Sequence, residues 1–119
     1  MTPESIFTRI INREVSAEIV FENERIIVIK DIKPDAPVHL LGITKHPYLN
    51  IDELVTEAGD KRDLLWELFT TLGKIAGGMG IKRSGYRLIS NNGEDAHQLV
   101  PHLHVHLLGG ERLHISDTE

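Results

Sequence analysis

Residues 101–110 read "PHLHVHLLGG", and this alternation constrains the fold more than any other stretch. Side chains of a β-strand point to opposite faces with a period of two, so His102, His104 and His106 are expected on one face and Leu103, Val105 and Leu107 on the other. A strand with one wholly apolar face belongs over a core, and its backbone N–H and C=O groups need neighbouring strands. Four further stretches supply them. "AEIVF" and "RIIVIKDI" flank the short polar "ENE" and read as a hairpin whose second strand ends near Lys33-Pro34. "VHLLGIT" gives a third strand and "GYRLISN" a fourth, which leaves "HLHVHLL" as the last.

Two segments follow the helical period instead. In "MTPESIFTRIINRE", Thr2 is placed to cap a helix with Pro3 at its first position and Glu4 near the positive end of its dipole, and Ile6, Phe7, Ile10 and Ile11 recur along one stripe. Asp60 is placed to cap "KRDLLWELFTTLGKIAGGMG", where Leu64, Leu65, Leu68, Phe69, Leu72, Ile75 and Met79 keep helical spacing until Gly77, Gly78 and Gly80 weaken it. "TKHPYLNIDEL" reads as a loop with a short helical turn, and "NGEDAHQLVP" as a polar loop of the kind that carries function above a sheet. The order is helix, three strands, helix, two strands. It predicts an α+β fold with about five strands in a largely antiparallel sheet and two main helices.

The 119 residues suit a single domain, 1–119, able to bury a core without staples. The chain has no cysteine, so neither a disulfide framework nor a thiolate metal site is available. Charged residues break the apolar run at the start and no later run approaches the ~20 residues of a membrane span, so a soluble cytoplasmic protein without membrane contact is expected. The net charge of −5 argues against a general grip on nucleic acid, which needs clustered Lys and Arg.

Three imidazoles on one strand face suggest metal binding or nucleophilic catalysis. Alternate strand residues sit ~6.8 Å apart, so the first and third are separated by ~13.6 Å, whereas two nitrogens bound to one zinc lie within ~4.2 Å. The three cannot share one ion. Two of them joined by His39, His46 or His97 remain a possible zinc set, although no H-E-x-x-H is present. In the catalytic alternative a neutral imidazole attacks a phosphorus or acyl centre while its neighbours fix its tautomer and balance the developing charge, by donating to phosphate oxygens in the case of phosphoryl transfer. His104 is the natural attacker because it has a histidine on each side.

"HLHVHLL" fits His-Φ-His-Φ-His-Φ-Φ, with Φ apolar, and with it the chain resembles the histidine triad superfamily of nucleotide hydrolases and transferases. "SIFTRIINRE", "IKDIKPDAPVHLLGITK", "GYRLISNNG" and "HLHVHLLGG" fall in the order and spacing of its Hint-like branch, whose members split phosphoramidates of nucleoside monophosphates. The resemblance implies a homodimer whose two sheets join into one, a purine nucleotide such as an AMP derivative as substrate, and no metal or organic cofactor. It implies that His104 takes the nucleotidyl group as a covalent phosphoramidate. His102 would orient His104, His106 would contact the α-phosphate, and His39 would complete the cluster. Asp31 would take the ribose hydroxyls, with Ile32 at the sugar and base. Ile6, Phe7, Ile10, Ile29 and Leu41 would line the base pocket, while Asn91 and Gln98 would reach ribose or phosphate. On pattern alone the same apolar residues read as core and Asp31 as a turn former.

The loop before the triad departs from this branch, which often reads Gly-Gln-Ser-Val there. Here it is His97-Gln98-Leu99-Val100. Leu99 offers no hydroxyl to a leaving group, His97 adds an imidazole, Pro101 replaces an aromatic, and "ERLHISDTE" lacks the Trp-Pro-Pro-Gly ending. Two other classes therefore stay open: a nucleotide-binding interaction protein with vestigial catalysis, and a histidine-ligated zinc protein.

Overall fold

The computed structural model describes residues 4–57 and 59–114. The first helix, α1 (Ile6–Ile11), is capped by Ser5, whose hydroxyl accepts the Thr8 N–H at 3.1 Å. The cap therefore sits three residues beyond the expected Thr2, which with Pro3 lies outside the described residues. Strands β1 (Ile19–Glu22) and β2 (Ile26–Lys30) form the hairpin. Asn23 shapes its turn by accepting the N–H groups of Arg25 and Ile26, both at 2.9 Å. β2 stops at Lys30, short of Lys33-Pro34, because the Asp31 carboxylate accepts the Lys33 N–H at 2.8 Å and turns the chain.

Strand β3 (Val38–Thr44) matches "VHLLGIT". The short helical turn is a seven-residue helix, α2 (Ile51–Glu57), where Asn50 accepts the Glu53 N–H at 2.9 Å. The long helix, α3 (Asp63–Gly78), follows a 3-10 turn at Gly59–Lys61 that contains Asp60. Arg62 at its cap already has near-helical angles and makes no side-chain capping bond, so Asp60 is not the cap. Gly80, at φ +76, turns the chain out of the helix, and strands β4 (Tyr86–Ile89) and β5 (His104–Gly109) complete the fold.

The five strands form one sheet in the order β1-β2-β3-β5-β4, with every neighbouring pair antiparallel. Leu64, Leu68, Leu72 and Ala76 of α3 share a core with Val28, Leu40, Val105 and Leu107. Gly42 permits this close approach, since a Cβ there would meet both Leu72 methyl carbons at 3.0 Å. On the opposite face Phe7 and Ile10 of α1 cluster with Ile27, Ile29, Leu41 and Ile43. A helix of six residues spans only ~9 Å, too little to cover the sheet. The same face carries His39, His104 and His106 beside this helix, with His39 and His104 buried and His106 partly exposed.

Candidate functional site: a histidine cluster on the open sheet face

The register of β3 against β5 sets Leu41 opposite His106 and Ile43 opposite His104, with His39 two residues further along β3 on the same face. Leu103, Val105 and Leu107 are buried in the α3 core, as the alternation requires. His102 departs from the row. β5 begins at His104, after the Leu103 N–H has turned to the Tyr48 carbonyl at 2.7 Å. Pro101 has no N–H to extend the ladder. The His102 ring is fully buried and takes the Thr44 carbonyl as its partner at 2.7 Å.

Carbonyl oxygens only accept, so these contacts fix the tautomers. His102 donates from Nε2 to Thr44, which leaves Nδ1 to accept from the Ser5 hydroxyl at 2.7 Å. His104 donates from Nδ1 to the His102 carbonyl at 2.7 Å, so its Nε2 carries the lone pair. His39 accepts the Asp35 N–H on Nδ1 at 3.0 Å and therefore holds its proton on Nε2. That Nε2 lies 2.9 Å from His106 Nδ1 and 3.4 Å from an Asp31 carboxylate oxygen. His106 accepts on Nδ1, and its own proton sits on Nε2. The cluster thus offers one nucleophilic nitrogen, on His104, and one donor nitrogen, on His106, with ring centroids 5.1 Å apart.

Burial is the largest influence on all three triad histidines and lowers each pKa below the ordinary 6.5. The hydrogen bond to His102 and the Asp31 charge oppose this at His104 without cancelling it. His106 is pushed to about 4, by burial first and then by His104 and His39. Neutral imidazoles at neutral pH follow. The unfolded chain protonates His106 near pH 6.5 while the folded chain resists until about 4, so the folded state is stabilised above 6.5 and loses that advantage as the pH falls through this window. We expect unfolding free energy to drop between pH 7.5 and 4.5 on this account, and to drop by roughly 1–2 kcal/mol less in His106→Asn, where His102 and His104 still resist protonation. Urea titrations at the two pH values check it, and equal drops in both proteins would contradict it.

Asp31, His39 and His106 present ligand atoms within 4.8 Å of one another, the one metal-spaced grouping among the described residues. Their hydrogen bonds oppose a metal reading. His39 Nε2 bears a proton because Nδ1 is taken by Asp35, so the ring would have to move before it coordinated. His46 instead packs at a tilt against Tyr48, at 4.4 Å between centroids.

Phe7, Ile10, Ile29 and Leu41 are buried together, and Phe7 packs edge-on to His104 at 4.9 Å. Ile6 is 40% exposed beside them. Ile32, next to Asp31, is 89% exposed and Leu99 is 88% exposed. Asn91 is half-buried just beyond β4. His97 is exposed and left-handed at φ 58, ending the short turn at Glu94–Ala96. Gln98 accepts the Gly93 N–H at 2.8 Å and donates to the carbonyls of Leu49 at 2.6 Å and Val100 at 3.1 Å. Its amide braces the loop, and reaching a ribose or phosphate would break those bonds. Sequence reasoning missed Ser5, the Thr44 carbonyl and Asp35 N–H, and also Ser90, which donates to the His104 carbonyl at 2.8 Å.

Fold and cluster together define an antiparallel α+β protein whose sheet gathers His39, His104 and His106 on one face, with the His104 Nε2 lone pair uncommitted. The comparisons give the class its family. The HIT domain model matches residues 12–113, and the chain belongs to that family of nucleotide-binding proteins and hydrolases. It is 38% identical to the purine nucleoside phosphoramidase of Escherichia coli K12, over 95% of this chain and 92% of that protein. A HIT-like protein of Azospirillum brasilense is 40% identical over 93% of this chain and 89% of its own. Among solved structures, a HIT family hydrolase from Clostridium thermocellum superposes with a TM-score of 0.88 at 41% identity, covering 98% of this chain and 99% of its own. No helix among the described residues is long and apolar enough to cross a membrane.

Proposed function

We propose that this chain hydrolyses purine nucleoside phosphoramidates, such as adenosine 5'-monophosphoramidate, or related nucleoside monophosphate esters and anhydrides. The observation that carries the reading is the His104 ring, whose Nδ1 is tied to the His102 carbonyl so that its Nε2 lone pair is free. Nε2 attacks the α-phosphorus, and the P–N bond breaks as the nitrogen takes a proton from solvent and leaves as the neutral amine. Water then attacks the nucleotidyl-histidine, releasing the nucleoside monophosphate and neutral His104. His106, with its proton on Nε2, donates to a phosphate oxygen as negative charge spreads in the transition state. His39 holds it in that tautomer.

In this reading Asp31 takes the ribose hydroxyls, Ile32 meets the sugar and base, and Phe7, Ile10, Ile29 and Leu41, with Ile6 at their margin, back the base. Asn91 sits at the ribose or phosphate. The acting unit is a homodimer with joined sheets, for which β1 and β4 are the available edges. The name of the Escherichia coli relative and the intact histidine cluster support the substrate class.

The test is steady-state turnover of adenosine 5'-monophosphoramidate, with and without a strong chelator. AMP release at the same rate in both is expected, since nucleophile and donors are all protein groups. AMP binding with no release above buffer would favour the non-catalytic reading that Leu99 keeps alive. Loss of activity and stability on chelation would favour a zinc protein.

A further inference from the structure

We infer that Ser5 is a positioning residue for the nucleophile, acting through His102. The inference rests on His104 as the attacking group. The Ser5 hydroxyl sits 2.7 Å from His102 Nδ1 and at the same time accepts the Thr8 N–H at 3.1 Å. It thus does two separable jobs: its lone pair caps α1 and its proton bonds the buried imidazole.

The second job reaches the active nitrogen in two steps. With the Ser5 proton on Nδ1 and the Thr44 carbonyl on Nε2, both ring atoms of His102 are bound and the residue is held from both ends. The carbonyl of that same residue receives the His104 Nδ1–H at 2.7 Å. Phe7, two positions after Ser5, packs against both rings, with centroids 5.9 Å from His102 and 4.9 Å from His104. A change in how His102 sits therefore moves the acceptor that fixes the His104 tautomer. The Thr8 hydroxyl, at 3.4 Å from His102 Nδ1, is a poorer donor at the limit of hydrogen-bond reach.

The two jobs separate by substitution. Ser5→Thr keeps both cap and donor. Ser5→Gly keeps most of the cap, because glycine costs an N-cap little, but it has no side chain to bond the imidazole. Ser5→Ala loses both.

The experiment measures kcat and KM for adenosine 5'-monophosphoramidate in the three variants, with 15N-edited NMR of the histidine ring nitrogens. Ser5→Gly and Ser5→Ala are expected to lose about tenfold in kcat, the scale of one hydrogen bond, with KM held within about twofold. The His104 Nδ1–H signal should shift or broaden in both, and Ser5→Thr should restore rate and signal. Wild-type kcat and an unchanged His104 signal in Ser5→Gly would overturn the inference, leaving Ser5 as a helix cap alone. Full turnover by His104→Gly, which leaves Ser5 untouched, would instead sink the nucleophile and the inference with it.

Discussion

Replacing His104 with glycine should lower kcat/KM for adenosine 5'-monophosphoramidate by on the order of 10^4 or more, the scale of losing a nucleophile. The size follows from the site's economy, since no second nitrogen here is both unprotonated and free. His39 Nδ1 receives Asp35 N–H, His106 Nδ1 receives His39, and His102 is enclosed by Ser5 and Thr44. Only His104 Nε2 is left to attack. The variant should still fold, because its place in β5 rests on backbone pairing and on the Ser90 hydroxyl, which bonds the residue 104 carbonyl and not the side chain. A folded variant retaining activity within tenfold of wild type would remove His104 from the mechanism.

His39→Leu should cost 10^2- to 10^3-fold, on the order of losing one transition-state donor, with most of the loss in kcat. Leucine leaves the Asp35 N–H and His106 Nδ1 without their present partner. His106 is then free to carry its proton on Nδ1, the wrong end of the ring for donating to phosphate. His39→Gln should recover part of the loss, since one amide both accepts from a backbone N–H and donates to an imidazole. Michaelis–Menten parameters for the pair decide it. A leucine variant within threefold of wild-type kcat would show that His106 keeps its tautomer without help.

Much of the fold was legible because its signals are local and periodic. The alternation in "HLHVHLL" placed Val105 and Leu107 in the core without knowledge of anything they touch, and the i, i+4 spacing of Leu64, Leu68 and Leu72 did the same for α3. Caps were less legible. Thr2 and Asp60 are good capping residues by type, yet Ser5 caps α1 and a preceding turn displaces the cap of α3. Type says which residues can cap, and only the surrounding chain says which one does.

The site was legible in its histidines and illegible in their supports. His104 and His106 share a strand, so spacing alone put them on one face. The Ser5–His102 bond spans 97 positions, and no periodicity reports such a pair. His102 looked like the first member of a flat row because its spacing is right, but Pro101 and the turn of Leu103 toward Tyr48 take it off the ladder. Gln98 was legible as a loop residue with a useful amide; that its partners are Gly93, Leu49 and Val100 depends on how the loop folds against the segment just before α2. His39 came from family resemblance, and the β3–β5 register now gives the reason it belongs.

The most direct measurement is intact mass of the wild-type protein mixed with adenosine 5'-monophosphoramidate for less than one turnover and quenched in denaturant. The account predicts a transient gain of one adenylyl group that maps to His104 and is absent from His104→Gly. Turnover with no such species, or an adduct on any other residue, would contradict it.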